Sequence, residues 1–74
     1  MRVHLFGILA EKAGSDVVEL EGAATDELRA EFRRRFPNTK GLMFAMAVDR
    51  KVVNGNQPLN GNEEVAMLPP FAGG

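Results

Sequence analysis

Leu28, Phe32 and Phe36 recur every four residues between Thr25 and Pro37, and no other stretch of this 74-residue chain carries so clear a helical stripe. A single amphipathic helix has one apolar face to bury, and a chain this short has room for one core. The remaining apolar residues fall in short runs with strand periodicity, so the economical arrangement lays the helix across one face of a sheet. Thr25 is expected to cap the helix, because its hydroxyl can accept from an unpaired amide of the first turn. Asp26 and Glu27 then sit at the positive end of the helix dipole, and Arg33, Arg34 and Arg35 at the negative end. Pro37 stops the helix by withholding an amide donor.

The strands read as follows. Val3 and Leu5 alternate with Arg2 and His4, and Phe6 continues the run. Gly7 to Gly14 forms a connection with room for a helical turn at Ile8 to Lys12, and Asp16 to Leu20 is a second strand. After the turn-rich Pro37 to Gly41, Phe44, Met46 and Val48 share one face of a third strand. Asp49-Arg50 makes a tight turn into Lys51-Val52-Val53; Asn54-Gly55-Asn56 and Asn60-Gly61-Asn62 are turns as well. Glu64 to Leu68 is the last strand, which Pro69-Pro70 ends by removing two ladder donors. The expected fold is α+β: a β-grasp (ubiquitin-like) domain over residues 1–68, with a mixed four- to five-stranded sheet, one main helix across one face, and the first and last strands as central neighbours. Residues 69–74 are expected to form a flexible tail ending in Gly-Gly.

Composition narrows the function. With 45% hydrophobic residues the chain is too apolar for a disordered segment, and a net charge of -1 gives no general attraction for nucleic acid or an anionic membrane. There is no cysteine and one histidine, His4, which excludes thiolate and multi-histidine metal sites and an internal thiol nucleophile. No run approaches a membrane span or a signal peptide, so a cytoplasmic protein is expected. His4 reads as a surface residue, Lys12, Lys40 and Lys51 as isolated surface cations, and Arg33 to Arg35 as a solvated helix end. Asn54-Gly55 lacks the spacing of a phosphate cradle.

The informative segment is Met67-Leu68-Pro69-Pro70-Phe71-Ala72-Gly73-Gly74. The prolines keep the base of a tail extended, and the glycines let its tip enter a space that side chains would block. Together with Val3-His4-Leu5-Phe6, Leu9 to Gly14, Ala47-Val48-Asp49 and Pro58 to Ala66, this block resembles the ubiquitin-like sulfur carriers. The Pro-Pro pair is most similar to the MoaD-like small subunits of molybdopterin synthase. The resemblance runs end to end and implies that the chain has no catalysis of its own. Gly74 would be adenylated by an E1-like (MoeB-like) activating enzyme that uses ATP, then thiocarboxylated with sulfur from a donor protein. A larger MoaE-like subunit would use that sulfur to form the dithiolene of molybdopterin, in a heterotetramer, with no cofactor or metal bound by the carrier. Pro69, Pro70, Phe71, Ala72 and Gly73 would insert into the partner, with Phe71, Leu68 and Met67 forming the partner-binding patch. A thiamine-pathway or other sulfur carrier, a ubiquitin-like protein modifier and a β-grasp interaction domain without tail chemistry remain open alternatives.

Overall fold

A computed structural model of the chain describes residues 1–70. It contains strands β1 (Arg2–Leu5), β2 (Val17–Glu19), β3 (Ala45–Val48), β4 (Lys51–Val53) and β5 (Val65–Leu68), with helices α1 (Ile8–Ala13) and α2 (Thr25–Arg35) and a 3-10 turn at Pro37–Thr39. The sheet order is β2-β1-β5-β3-β4. β1 and β5 run parallel at its centre, and the other pairs are antiparallel. This is the expected β-grasp layout, with five strands. The segment expected to hold a helical turn is a six-residue helix closed by Gly14 in the left-handed conformation.

Register explains where the core lies. Val3 is opposite Val65, Leu5 opposite Met67, Met46 opposite Met67 and Val48 opposite Val65, and all six side chains are buried. Leu28 and Phe32 of α2 close over them, fully excluded from solvent. Phe32 meets Phe36 at a centroid distance of 5.2 Å and Phe44 edge-on at 5.5 Å, so the helical stripe also packs on the loop before β3. Phe44 itself precedes the strand that the sequence suggests it begins, although it still faces the core.

Two local expectations are corrected. The N-cap of α2 is Ala24, which offers no side-chain acceptor, and Thr25 is the first helical residue. The cap arrives from elsewhere in the chain. The Asp26 N–H donates to Asn56 Oδ1 at 2.9 Å, while the buried Thr25 hydroxyl accepts from the Gln57 N–H at 2.9 Å. Glu27 reaches back to the Ala23 N–H at 2.9 Å. Thr25 thus ties the 55–59 loop to the helix start, a role that local sequence does not distinguish from capping.

The arginines at the other end are not simply solvated. Arg33 donates to the carbonyls of Thr39 (3.0 Å) and Leu42 (2.8 Å) and, with Arg29, lies over the Phe44 ring. Arg34 pairs with Glu31, and Arg35 donates to the Glu19 carbonyl. This last contact covers part of the β2 edge. Ser15 covers more of it, since its hydroxyl accepts from the Val17 N–H and donates to the Val17 carbonyl.

Candidate functional site: the base of the tail and the open face of the sheet

The proposed modified residue Gly74, and with it Gly73, Ala72 and Phe71, lies outside the described residues. What the structure does describe is their mount. β5 is paired on both sides, to β1 from Val65 to Met67 and to β3 from Val65 to Leu68. The Phe6 N–H adds a bond to the Met67 carbonyl at 3.3 Å. Pro69 is half-buried, with its Cγ 3.0 Å from where a Cβ on Gly7 would stand, and Pro70 is exposed. Gly7 has φ of 57° and makes the turn from β1 into α1; its missing side chain leaves the space in which the Pro69 ring rests. The tail therefore leaves from the middle of the sheet.

Of the predicted partner-binding residues, Leu68 is half-buried on the face of the sheet away from α2, where a partner can reach it. Met67 does not belong with it. It is fully buried, because adjacent strand residues point to opposite faces and Met67 shares its face with Val65.

The residues that accompany Leu68 are Phe6, Ala45, Ala47, Val52 and Ala66. Cross-strand register sets His4 beside Ala66, Ala66 beside Ala47 and Ala47 beside Val52, with Leu68 beside Ala45. The small side chains of Ala47 and Ala66 leave a depression of about 330 Å³, walled by Phe6, Leu68 and Val52 and rimmed by His4, Arg50 and Glu64. Phe6 is 49% exposed and Val52 59% exposed. Exposed apolar surface of this kind is a feature of interaction sites, and here it lies beside the root of the tail. Sequence reading missed Phe6 and Val52 in this role. The available signal was phase: Phe6 is in step with Arg2 and His4, and Val52 is out of step with the core-facing Val53.

The electrostatics near this face support structure. The Glu63 carboxylate accepts from the backbone amides of Asn60 and Gly61, which holds it below the ordinary glutamate range and fixes the turn that leads to β5. Glu19 is likewise lowered by its hydrogen bond with the N-terminal amine, and Glu31 by Arg34. Among the described residues, no group of three or more His, Cys, Asp and Glu side chains is placed to hold a metal, and no helix is long and apolar enough to cross a membrane.

Comparison with known proteins places this architecture. No curated protein matches the sequence. Among solved structures, a putative molybdopterin converting factor subunit 1 from Pyrococcus furiosus is 25% identical with a TM-score of 0.80, over 95% of each chain. Small archaeal modifier protein 1 from Haloferax volcanii is 22% identical with a TM-score of 0.78, over 100% of this chain and 98% of the other. A chain in the complex of subunits 1 and 2 of the Helicobacter pylori molybdopterin-converting factor is 24% identical with a TM-score of 0.70, over 99% and 96%. The ThiS family model matches residues 3–74, which takes in the sheet, both helices and the tail. The chain belongs to the ThiS family, the ubiquitin-like sulfur carriers.

Proposed function

We propose that this chain is the sulfur-carrier subunit of a molybdopterin synthase. Gly74 is adenylated by an E1-like activating enzyme, receives sulfur as a thiocarboxylate and delivers it to a dithiolene-forming larger subunit. The observation that carries this reading is the mount: a tail that springs from a strand held on both sides, next to an open apolar face. Likeness to the putative molybdopterin converting factor subunit 1 from Pyrococcus supports the molybdopterin branch.

The chemistry fits a carrier without catalytic groups. A carboxylate is a poor acyl donor at neutral pH because it would have to expel oxide. Adenylation at the expense of ATP releases pyrophosphate and supplies AMP as the leaving group, and a sulfur nucleophile then displaces AMP at the same carbon. Activation and transfer both take place in the partners' sites. Residues 69–74 reach about 20 Å when extended at ~3.3 Å each, enough to place Gly74 inside a neighbouring subunit while the open face stays at its surface. Pro69 and Pro70 limit the entropy lost on insertion, and Phe71 is proposed to anchor in an apolar groove of the partner.

Incubating thiocarboxylated chain with the large synthase subunit and precursor Z tests the assignment. Molybdopterin is the expected product. Loaded carrier that gives none, but loads readily, would move the assignment to a thiamine-pathway or other carrier. Lysine-linked adducts in cells would point to a protein modifier.

A further inference from the structure

We infer that Asn54-Gly55 is a site of spontaneous modification, at which the Gly55 nitrogen closes on the Asn54 side-chain amide and converts the residue to aspartate and isoaspartate. The same dipeptide at Asn60-Gly61 is held unreactive by Glu63. The reaction needs water and no partner, so it stands apart from the sulfur-carrier reading.

These are the two Asn-Gly steps of the chain, and the dipeptide alone does not tell them apart. All four residues are exposed, and both glycines have positive φ, 91° at Gly55 and 104° at Gly61. Glycine matters in second place because no side chain shields its nitrogen. Hydrogen bonding separates the pairs. At Asn60-Gly61 the Glu63 carboxylate accepts from the Asn60 N–H at 2.9 and 3.1 Å and from the Gly61 N–H at 3.0 Å, and Asn60 Oδ1 accepts from the Asn62 N–H at 2.9 Å. At the other pair, the bonds to the helix begin only past the Gly55 nitrogen. The Gly55 carbonyl lies 3.5 Å from the Thr25 hydroxyl, and Asn56 Oδ1 caps α2. The Gln57 N–H donates to the Thr25 hydroxyl, and its carbonyl accepts from the Thr25 N–H. Among the described residues, none accepts from the Gly55 N–H and none bonds to the Asn54 side chain.

That difference becomes a difference in rate. The glycine N–H loses its proton to a base in solution, its nitrogen bonds to the side-chain carbonyl carbon, and the amide group departs as ammonia with a proton regained. A five-membered succinimide remains. Water opens it: cleavage of the new C–N bond gives aspartate, and cleavage of the original backbone bond gives isoaspartate. One water enters and one ammonia leaves, with no change in oxidation state. At the second site Gly61 must first give up a bond to an ionised carboxylate, and the charge of Glu63 opposes formation of an amide anion beside it. Asn60 must also turn its side chain away from Asn62. Asn54 and Gly55 have neither restraint. Isoaspartate at position 54 adds a backbone carbon two residues before Asn56, so conversion loosens the tie to the start of α2.

The test incubates the full-length chain at mildly alkaline pH, folded and in urea, and follows intact mass, thermal unfolding and methylation by an isoaspartate-specific carboxyl methyltransferase. Sites are assigned by fragmenting the peptide from Val52 to Gly74, which follows the last tryptic site, Lys51. In the folded chain Asn54 is expected to convert on the order of tenfold faster than Asn60, the ratio that a hydrogen-bond cost of ~1.4 kcal/mol gives. Mass changes by one amide-to-carboxylate exchange, and methylation follows it. In urea the two rates come within about twofold of each other, because only the folded turn protects Asn60. Glu63→Ala brings Asn60 up toward Asn54, and Glu63→Gln, which keeps an acceptor without the charge, falls between; Asn54 is unchanged in both. The converted chain unfolds roughly 4 °C below the fresh one. If Glu63→Ala does not fold, the folded and urea arms of the wild type still decide. Asn60 converting as fast as Asn54 in the folded chain, a folded Glu63→Ala in which Asn60 stays slow, or a folded chain whose Asn54 stays intact while both sites react in urea, would overturn the inference. A converted chain that unfolds with the fresh one would remove the link to α2.

Discussion

The face of the sheet under α2 and the face turned to solvent are built from alternate residues of the same strands, yet they are filled on opposite principles. Beneath the helix stand Val3, Leu5, Met46, Val48, Val65 and Met67, large side chains with almost no exposure. On the other side, Ala47 and Ala66 occupy the centre, with Phe6, Leu68 and Val52 around them and a depression between. The first face satisfies itself within the chain. The second leaves apolar surface unused next to the root of the tail, and a small domain that has only one core to spare keeps stability and docking apart by strand alternation.

Substitutions on the buried face are expected to have the largest effect. Phe32→Ala should lose about 3–5 kcal/mol in urea unfolding, against a total of about 4–11 kcal/mol for a chain of this length, and leave much of the protein unfolded. Val52→Asp asks the opposite question. It should leave unfolding within about 0.5 kcal/mol of wild type while weakening partner binding by about 2 kcal/mol, measured by calorimetric titration. If it instead unfolded the protein and spared binding, the division between faces would fail. Asn56→Ala removes the cap that the 55–59 loop supplies to α2 and should cost about 1 kcal/mol, with no change in partner affinity.

The smallest expected effect is with pH. Glu63, Glu19 and Glu31 have folded-state pKa values below the ordinary range, so each contributes stability that is present above the unfolded pKa of about 4.3. That contribution is lost as pH falls through the lowered folded values. Glu19 is exposed and Glu31 and Glu63 are partly exposed, so the effect is screened by salt. Unfolding midpoints measured at low ionic strength should fall below about pH 4.3, and less so in Glu63→Ala, whose turn no longer carries the carboxylate.

The fold was legible because its signals are local and agree with one another: the Leu28, Phe32, Phe36 stripe, the alternation at Val3 and Leu5, and the proline stop after Leu68. Thr25 was misread as a cap because its actual partner, Gln57, is 32 residues away, and no local pattern encodes that pairing. Met67 was placed in the partner patch through nearness in sequence to the tail, although strand alternation turns it inward. Phe6 and Val52 went unrecognised because a lone exposed apolar residue becomes a surface only when register brings its neighbours together.

The central claim concerns Gly74, and intact-mass analysis of the protein purified from its own cell tests it most directly. The account predicts a fraction of the chain heavier by one sulfur-for-oxygen exchange, localised to the C-terminal residue and lost on treatment that hydrolyses a thiocarboxylate. A chain found only with a free C-terminal carboxylate, whose function survives deletion of Gly73 and Gly74, would contradict it.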